Sequence, residues 1–143
     1  MTRIFNTPFE ISMRALIIIS VSNGLTLDRI NAYDFLATYG KQYGISDFDL
    51  NGDCEASQMQ VDIRRQLTRD ALKELVLKRY IYVQNLKKGF LYKPTNIGCV
   101  VVSQMESDYA KEFKRNAIAI SKRFSNIKES EIIRLITKPN GGK

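Results

Sequence analysis

A mainly α-helical fold interrupted by one β-hairpin is what the sequence predicts, on three observations. Apolar residues recur at helical spacing in several separated segments. Two short runs, Tyr80-Ile81-Tyr82-Val83 and Phe90-Leu91-Tyr92, are instead aromatic and β-branched. Lys87-Lys88-Gly89 lies between them and supplies a turn. The chain has 143 residues, 44% hydrophobic and 26% charged, which is enough for one domain with its own core.

Thr7-Pro8-Phe9-Glu10 starts the first helix: Thr7 is placed to cap it, Pro8 fits the first helical position, and Glu10 completes a capping box. Phe9, Met13, Leu16 and Ile17 follow at helical spacing in a segment apolar on most sides, which predicts burial on more than one face. Ser22-Asn23-Gly24 ends it. Thr26, with Asp28 in the first turn, opens a second helix in which Ile30, Tyr33 and Ala37 share a face, and Gly40 is its stop. Residues 44 to 55 are polar, acidic and turn-rich, and read as a loop. Ser57 then caps a third helix running to about Arg79, with Ile63, Leu67, Ala71 and Leu75 on its apolar side and Leu72 and Val76 widening it.

After the hairpin, Thr95-Asn96-Ile97-Gly98 opens an apolar helix reaching Met105. Tyr109, Phe113, Ala117, Ile120 and Phe124 mark a longer amphipathic helix, and Ile132, Ile133 and Ile136 a short last one. Three helices, a hairpin and a further helix is the order of a winged helix-turn-helix domain. That domain is expected over residues 1–98, with a helical C-terminal extension over 99–138 and a disordered tail at 139–143.

Charge is polarised along the chain. The net charge of +7 and isoelectric point near 9.5 favour an anionic partner, either nucleic acid or an acidic protein. Between Thr26 and Asp62 seven acids face only Arg29 and Lys41, whereas between Arg64 and Lys93 nine bases face only Asp70 and Glu74. Cys54 and Cys99 stand far apart with no CxxC pair, so neither a disulfide framework nor a zinc site is indicated. The apolar run Ala15-Leu16-Ile17-Ile18-Ile19 is too short to span a bilayer and lacks the flanks of a signal peptide. A cytoplasmic location is therefore expected.

Enzymatic chemistry finds little support. The chain contains no histidine, which excludes Ser/His/Asp and Cys/His nucleophilic sites and histidine-ligated metals. Asn140-Gly141-Gly142-Lys143 lacks the spacing of a phosphate-binding loop. Asp47-Phe48-Asp49-Leu50-Asn51-Gly52 matches the first half of a calcium loop, but its twelfth position is Gln58, which cannot supply a bidentate carboxylate, so it reads as an acidic turn. No catalytic residue, metal or cofactor is expected.

The best candidate contacts are cations. Arg65, Arg69 and Lys73 follow one another at i, i+4 and i+8 on the third helix, and Lys87 and Lys88 sit at the hairpin tip. In a winged helix the helix before the hairpin enters the major groove while the tip touches phosphate, so these five form a coherent DNA footprint. They equally suit a solvated helix face and a charged turn that blunts a strand edge. Gln66 is the one nearby side chain suited to reading adenine. Lys111, Arg115 and Lys122 make a second basic patch on the later amphipathic helix, where the simpler reading is its solvated side.

Phe5-Asn6-Thr7-Pro8-Phe9-Glu10 with Arg14-Ala15-Leu16, Leu27-Asp28-Arg29-Ile30 with Asp34, and Arg64-Arg65 leading to Leu67 and Leu72 form an ordered set. The set resembles the middle components of ABC-three-component systems, the small subunits of Lamassu-type anti-phage and anti-plasmid complexes. The resemblance implies a non-enzymatic adaptor between an SMC-like, Rad50-type coiled-coil ATPase and an effector, often a nuclease, with DNA reached through the complex. A free-standing winged-helix transcriptional regulator is the alternative.

Overall fold

A computed structural model of the chain describes residues 7–46 and 58–137. The chain order is α1 (Pro8–Ser20), α2 (Leu27–Thr38), α3 (Gln58–Leu77), β1 (Ile81–Leu86), β2 (Gly89–Pro94), α4 (Asn96–Ser103), α5 (Asp108–Phe124) and α6 (Glu129–Thr137). The described residues are thus mainly helical, with six helices and a two-stranded antiparallel hairpin. The acidic turn of residues 47–57, Ser57 as a cap and the tail from residue 138 lie outside them.

Helix α1 is central because it is apolar nearly all round: α2, α3, α4, α5 and β2 all pack on it, and Ile11 and Ala15 to Ile19 are buried. The predicted capping box is present, Thr7 Oγ1 accepting from the Glu10 N–H and the Glu10 carboxylate accepting from the Thr7 N–H, each at 3.2 Å. Phe9 differs from expectation. It is 65% exposed, because the first turn precedes the helix's entry into the core.

In α2 every residue from Ile30 to Thr38 is buried, since α1, α3, α5 and α6 surround it. Phe113, Ala117, Ile120 and Phe124 of α5 and Ile132 and Ile136 of α6 belong to the same apolar cluster as Leu16, Phe35 and Leu72. Residues 99–137 therefore pack into one continuous core with α1 to α3. No helix among the described residues is long and apolar enough to cross a membrane.

Helix α3 buries Ala71, Leu72 and Leu75 as its apolar spacing suggests, but its first half turns a different side inward. Val61, Arg64, Thr68, Ala71, Leu72 and Leu75 are buried, while Ile63 is 54% exposed. Arg64 and Thr68 face inward because the core offers them partners: Thr68 donates to Asn31, and Arg64 reaches Asp34 and Thr38.

A Schellman-type end stops α3, with the Tyr80 N–H donating to the Leu75 carbonyl and the Arg79 N–H to the Val76 carbonyl, both at 3.0 Å. Arg79 takes the left-handed position, φ 64°, where glycine is usual. Relief of that strain outweighs the extra chain entropy of glycine, so Arg79→Gly is expected to stabilise by about 0.5–1 kcal/mol. Urea denaturation checks this; an unchanged or lower midpoint contradicts it.

The hairpin pairs Leu86 with Gly89 across Lys87 and Lys88 and continues to Ile81 opposite Pro94. Thr95 locks it to the next helix, donating to the Arg79 carbonyl at 2.7 Å and accepting from the Gly98 N–H at 3.0 Å. Gly98 is required because a Cβ there would lie 2.0 Å from the Tyr80 carbonyl oxygen. Leu25, between α1 and α2, forms an isolated antiparallel bridge to Tyr92 of β2.

Candidate functional site

The charged residues of the N-terminal half divide into those used inside the fold and those left on its surface. Arg14, Asp34 and Arg64, contributed by α1, α2 and α3, meet in the core at 2%, 4% and 5% exposure. Arg14 grips Asp34 with two bonds, Nε to Oδ1 at 2.8 Å and Nη2 to Oδ2 at 3.2 Å. Arg64 Nη1 donates to Asp34 Oδ2 at 3.1 Å and to Thr38 Oγ1 at 2.9 Å, and its guanidinium lies 4.7 Å from the centre of the Phe35 ring.

Burial pushes the Asp34 carboxyl up, but the two guanidiniums override it and hold Asp34 below the usual carboxylate range. Burial likewise works against charge on both arginines. Asp34 outweighs it at Arg14, which is held above its ordinary value, whereas Arg64, with Arg14 as a like-charged neighbour, is held below. Burial also raises the Tyr109 hydroxyl at the edge of this cluster.

Three further ties bind α2 and its cap to their neighbours. Arg65 pairs with Asp28 through both guanidinium arms, a bond that holds Arg65 above its ordinary value. Arg29 donates to the Phe124 and Ile127 carbonyls at the end of α5, and Thr26 donates to Glu129 of α6. Arg14, Asp28, Arg29, Asp34, Arg64 and Arg65 are the charged residues of the motif set that follow the first capping box, and each serves as an internal tie. Sequence reasoning missed the buried cluster, although one signal was available: Arg14 stands within an otherwise apolar run.

The structure therefore divides the predicted row. Arg65 is half-buried against Asp28, while Arg69 and Lys73 are exposed on α3 and Lys87 and Lys88 at the hairpin tip. Asp70 and Glu74 share the outer side of α3, and the Gln66 amide donates to Asp70 at 3.3 Å. Lys111, Arg115 and Lys122 lie along the outer side of α5, whose main packing partners are α1 and α2, and Arg115 pairs with Glu112 at 3.0 Å. From the end of α3 along the hairpin the surface becomes apolar: Leu77, Tyr82, Leu86 and Phe90 are between 42% and 75% exposed.

Fold and surface define a small, basic, mainly helical protein whose cations are displayed beside exposed apolar side chains. A family model, "ABC-three component (ABC-3C) system Middle Component 2", matches residues 4–141. The chain belongs to this Middle Component 2 family, and as one component of a three-component system it has partner subunits. Neither a curated relative nor a solved structure matches it.

Proposed function

We propose that this chain is the non-enzymatic adaptor of a bacterial defence complex of the Lamassu type, acting in the cytoplasm against phage and plasmid DNA. In this reading it bridges an SMC-like coiled-coil ATPase and an effector nuclease. Membership in a family defined as the middle component of three is the observation that carries the proposal. Two further features support it: the sequence has no histidine for nucleophilic or metal chemistry, and large apolar side chains stand exposed, Leu77 and Phe9 above all. Co-expression with the two other components of its system tests it. A single stable complex containing all three is expected, and a chain that elutes apart from both overturns the adaptor role.

A secondary, DNA-sensing role fits the same geometry. The Leu25–Tyr92 bridge stands where a winged helix carries its third strand, which favours that architecture, and in such a domain α3 and the hairpin tip would be the groove-facing elements. Arg69, Lys73, Lys87 and Lys88 are the exposed cations on those two elements and are assigned to phosphate contact. A free-standing regulator with this fold would instead form a dimer on dyad-related sites without any other component.

A further inference from the structure

The hairpin has one outer edge that is partly paired and one that is bare. Leu86 and Gly89 flank a two-residue turn and so form a hydrogen-bonded pair, as do Gln84 with Leu91 and Tyr82 with Lys93. The residues between them turn their backbone groups outward. On β2 these are Phe90 and Tyr92, and Tyr92 exchanges two bonds with Leu25 at 2.8 and 3.2 Å. On β1 the equivalents are Val83 and Asn85, and among the described residues nothing bonds their N–H and C=O groups.

Apart from the lysine pair at the tip, that edge carries none of the devices that usually discourage pairing. β1 reads Ile-Tyr-Val-Gln-Asn-Leu, without charge or proline, and every residue after Ile81 is exposed. Beside it lies an apolar groove of about 430 Å³ between α3 and the hairpin, lined by Leu72, Val76, Leu77, Val83 and Tyr92. A strand added to β1 would set every second side chain on the face that carries Val83, and hence against this groove. Lys73 lines the groove, and Lys78 and Arg79 follow α3 just before β1, opposed in this stretch only by Glu74.

We propose that the outer edge of β1 and the adjoining groove form a docking site for an extended segment of a partner subunit. The segment would carry apolar residues at alternate positions and carboxylates among the rest, and would dock by adding a strand to the hairpin. This rests on the adaptor reading. Nucleic acid is the poorer occupant, because a phosphodiester offers no donors for the bare carbonyls and nothing to fill an apolar groove. A second copy would bring the same cations against themselves.

Hydrogen exchange of the full chain, alone and within the co-expressed three-component complex, tests the site. The Val83 and Asn85 amides are expected to exchange freely in the chain alone and about tenfold or more slowly in the complex. Val83→Pro removes the outward N–H at a position where an edge strand tolerates proline. Leu77→Glu puts a carboxylate beside the groove. Each is expected to weaken partner capture roughly tenfold, while Ile63→Ser, at an exposed apolar site near the start of α3, leaves it unchanged. If Val83→Pro fails to fold, Leu77→Glu and the exchange rates still decide the matter. A complex that forms with the edge amides still exchanging freely overturns the docking site and leaves the adaptor reading intact. Absence of any complex overturns both. Protection that appears in the concentrated chain alone, or only with duplex DNA, replaces the partner segment by a second copy or by nucleic acid and overturns the proposal.

Discussion

Replacing Asp34 by alanine is expected to cost on the order of 3–5 kcal/mol and to lower Tm by roughly 10–20 °C, because it leaves Arg14 and Arg64 as two like charges buried side by side. Water cannot reach them in compensation, since each is at most 5% exposed. The same carboxylate sets an acid limit on the fold. Asp34 is held below its ordinary value in the folded state, so the folded chain binds fewer protons than the unfolded chain as acid is added. Its contribution is complete above the unfolded value of about 3.9 and is lost as pH falls through the lower folded value. Thermal melts between pH 7 and 3 should therefore show a steeper decline at the acid end in the wild type than in Asp34→Ala. The joint replacement Arg14→Met, Asp34→Leu, Arg64→Met separates charge from packing: it is expected to recover most of the loss, because a well-packed apolar core does without the ion pairs. Equal melting of wild type and Asp34→Ala would show that the cluster contributes no stability.

That cluster also marks where the sequence stops being legible. Elements with a local signal are the ones it announces: Thr7 and Glu10 begin α1, Thr95 and Gly98 begin α4, and the lysine pair before Gly89 makes the turn. Each of these is decided within about four residues of chain by capping or turn chemistry. The inward side of α3 is decided by residues far away in sequence. Arg64 turns in and Ile63 out because Asp34 and Thr38 stand 26 to 30 residues earlier, and periodicity alone ranks isoleucine as the core residue. The row of Arg65, Arg69 and Lys73 is right as helical geometry and incomplete as electrostatics, since Asp28, which pairs with Arg65, lies on another helix. The free edge of β1 is equally hidden. Sequence shows a hairpin, but only the bridge from Leu25 shows which of its two edges is already taken.

Reversing Arg69, Lys87 and Lys88 together to glutamate is expected to weaken duplex binding by the assembled complex about a hundredfold at low salt, and to flatten the salt dependence of the affinity by about 0.9 for each phosphate that is no longer neutralised. These three are exposed, and Lys73 stays native because it lines the apolar groove, so that weaker DNA binding cannot arise from a damaged docking site. Arg65→Glu is the informative contrast. Its side chain already bonds Asp28, so the change sets two carboxylates face to face and should lower Tm while leaving the salt slope of the affinity as it was. If the two variants instead behave alike, with stability intact and DNA binding abolished in both, Arg65 leaves Asp28 when DNA arrives and the whole predicted row faces phosphate. If neither alters DNA binding, the cations of α3 and the hairpin serve protein partners alone, and DNA is held by another component of the complex.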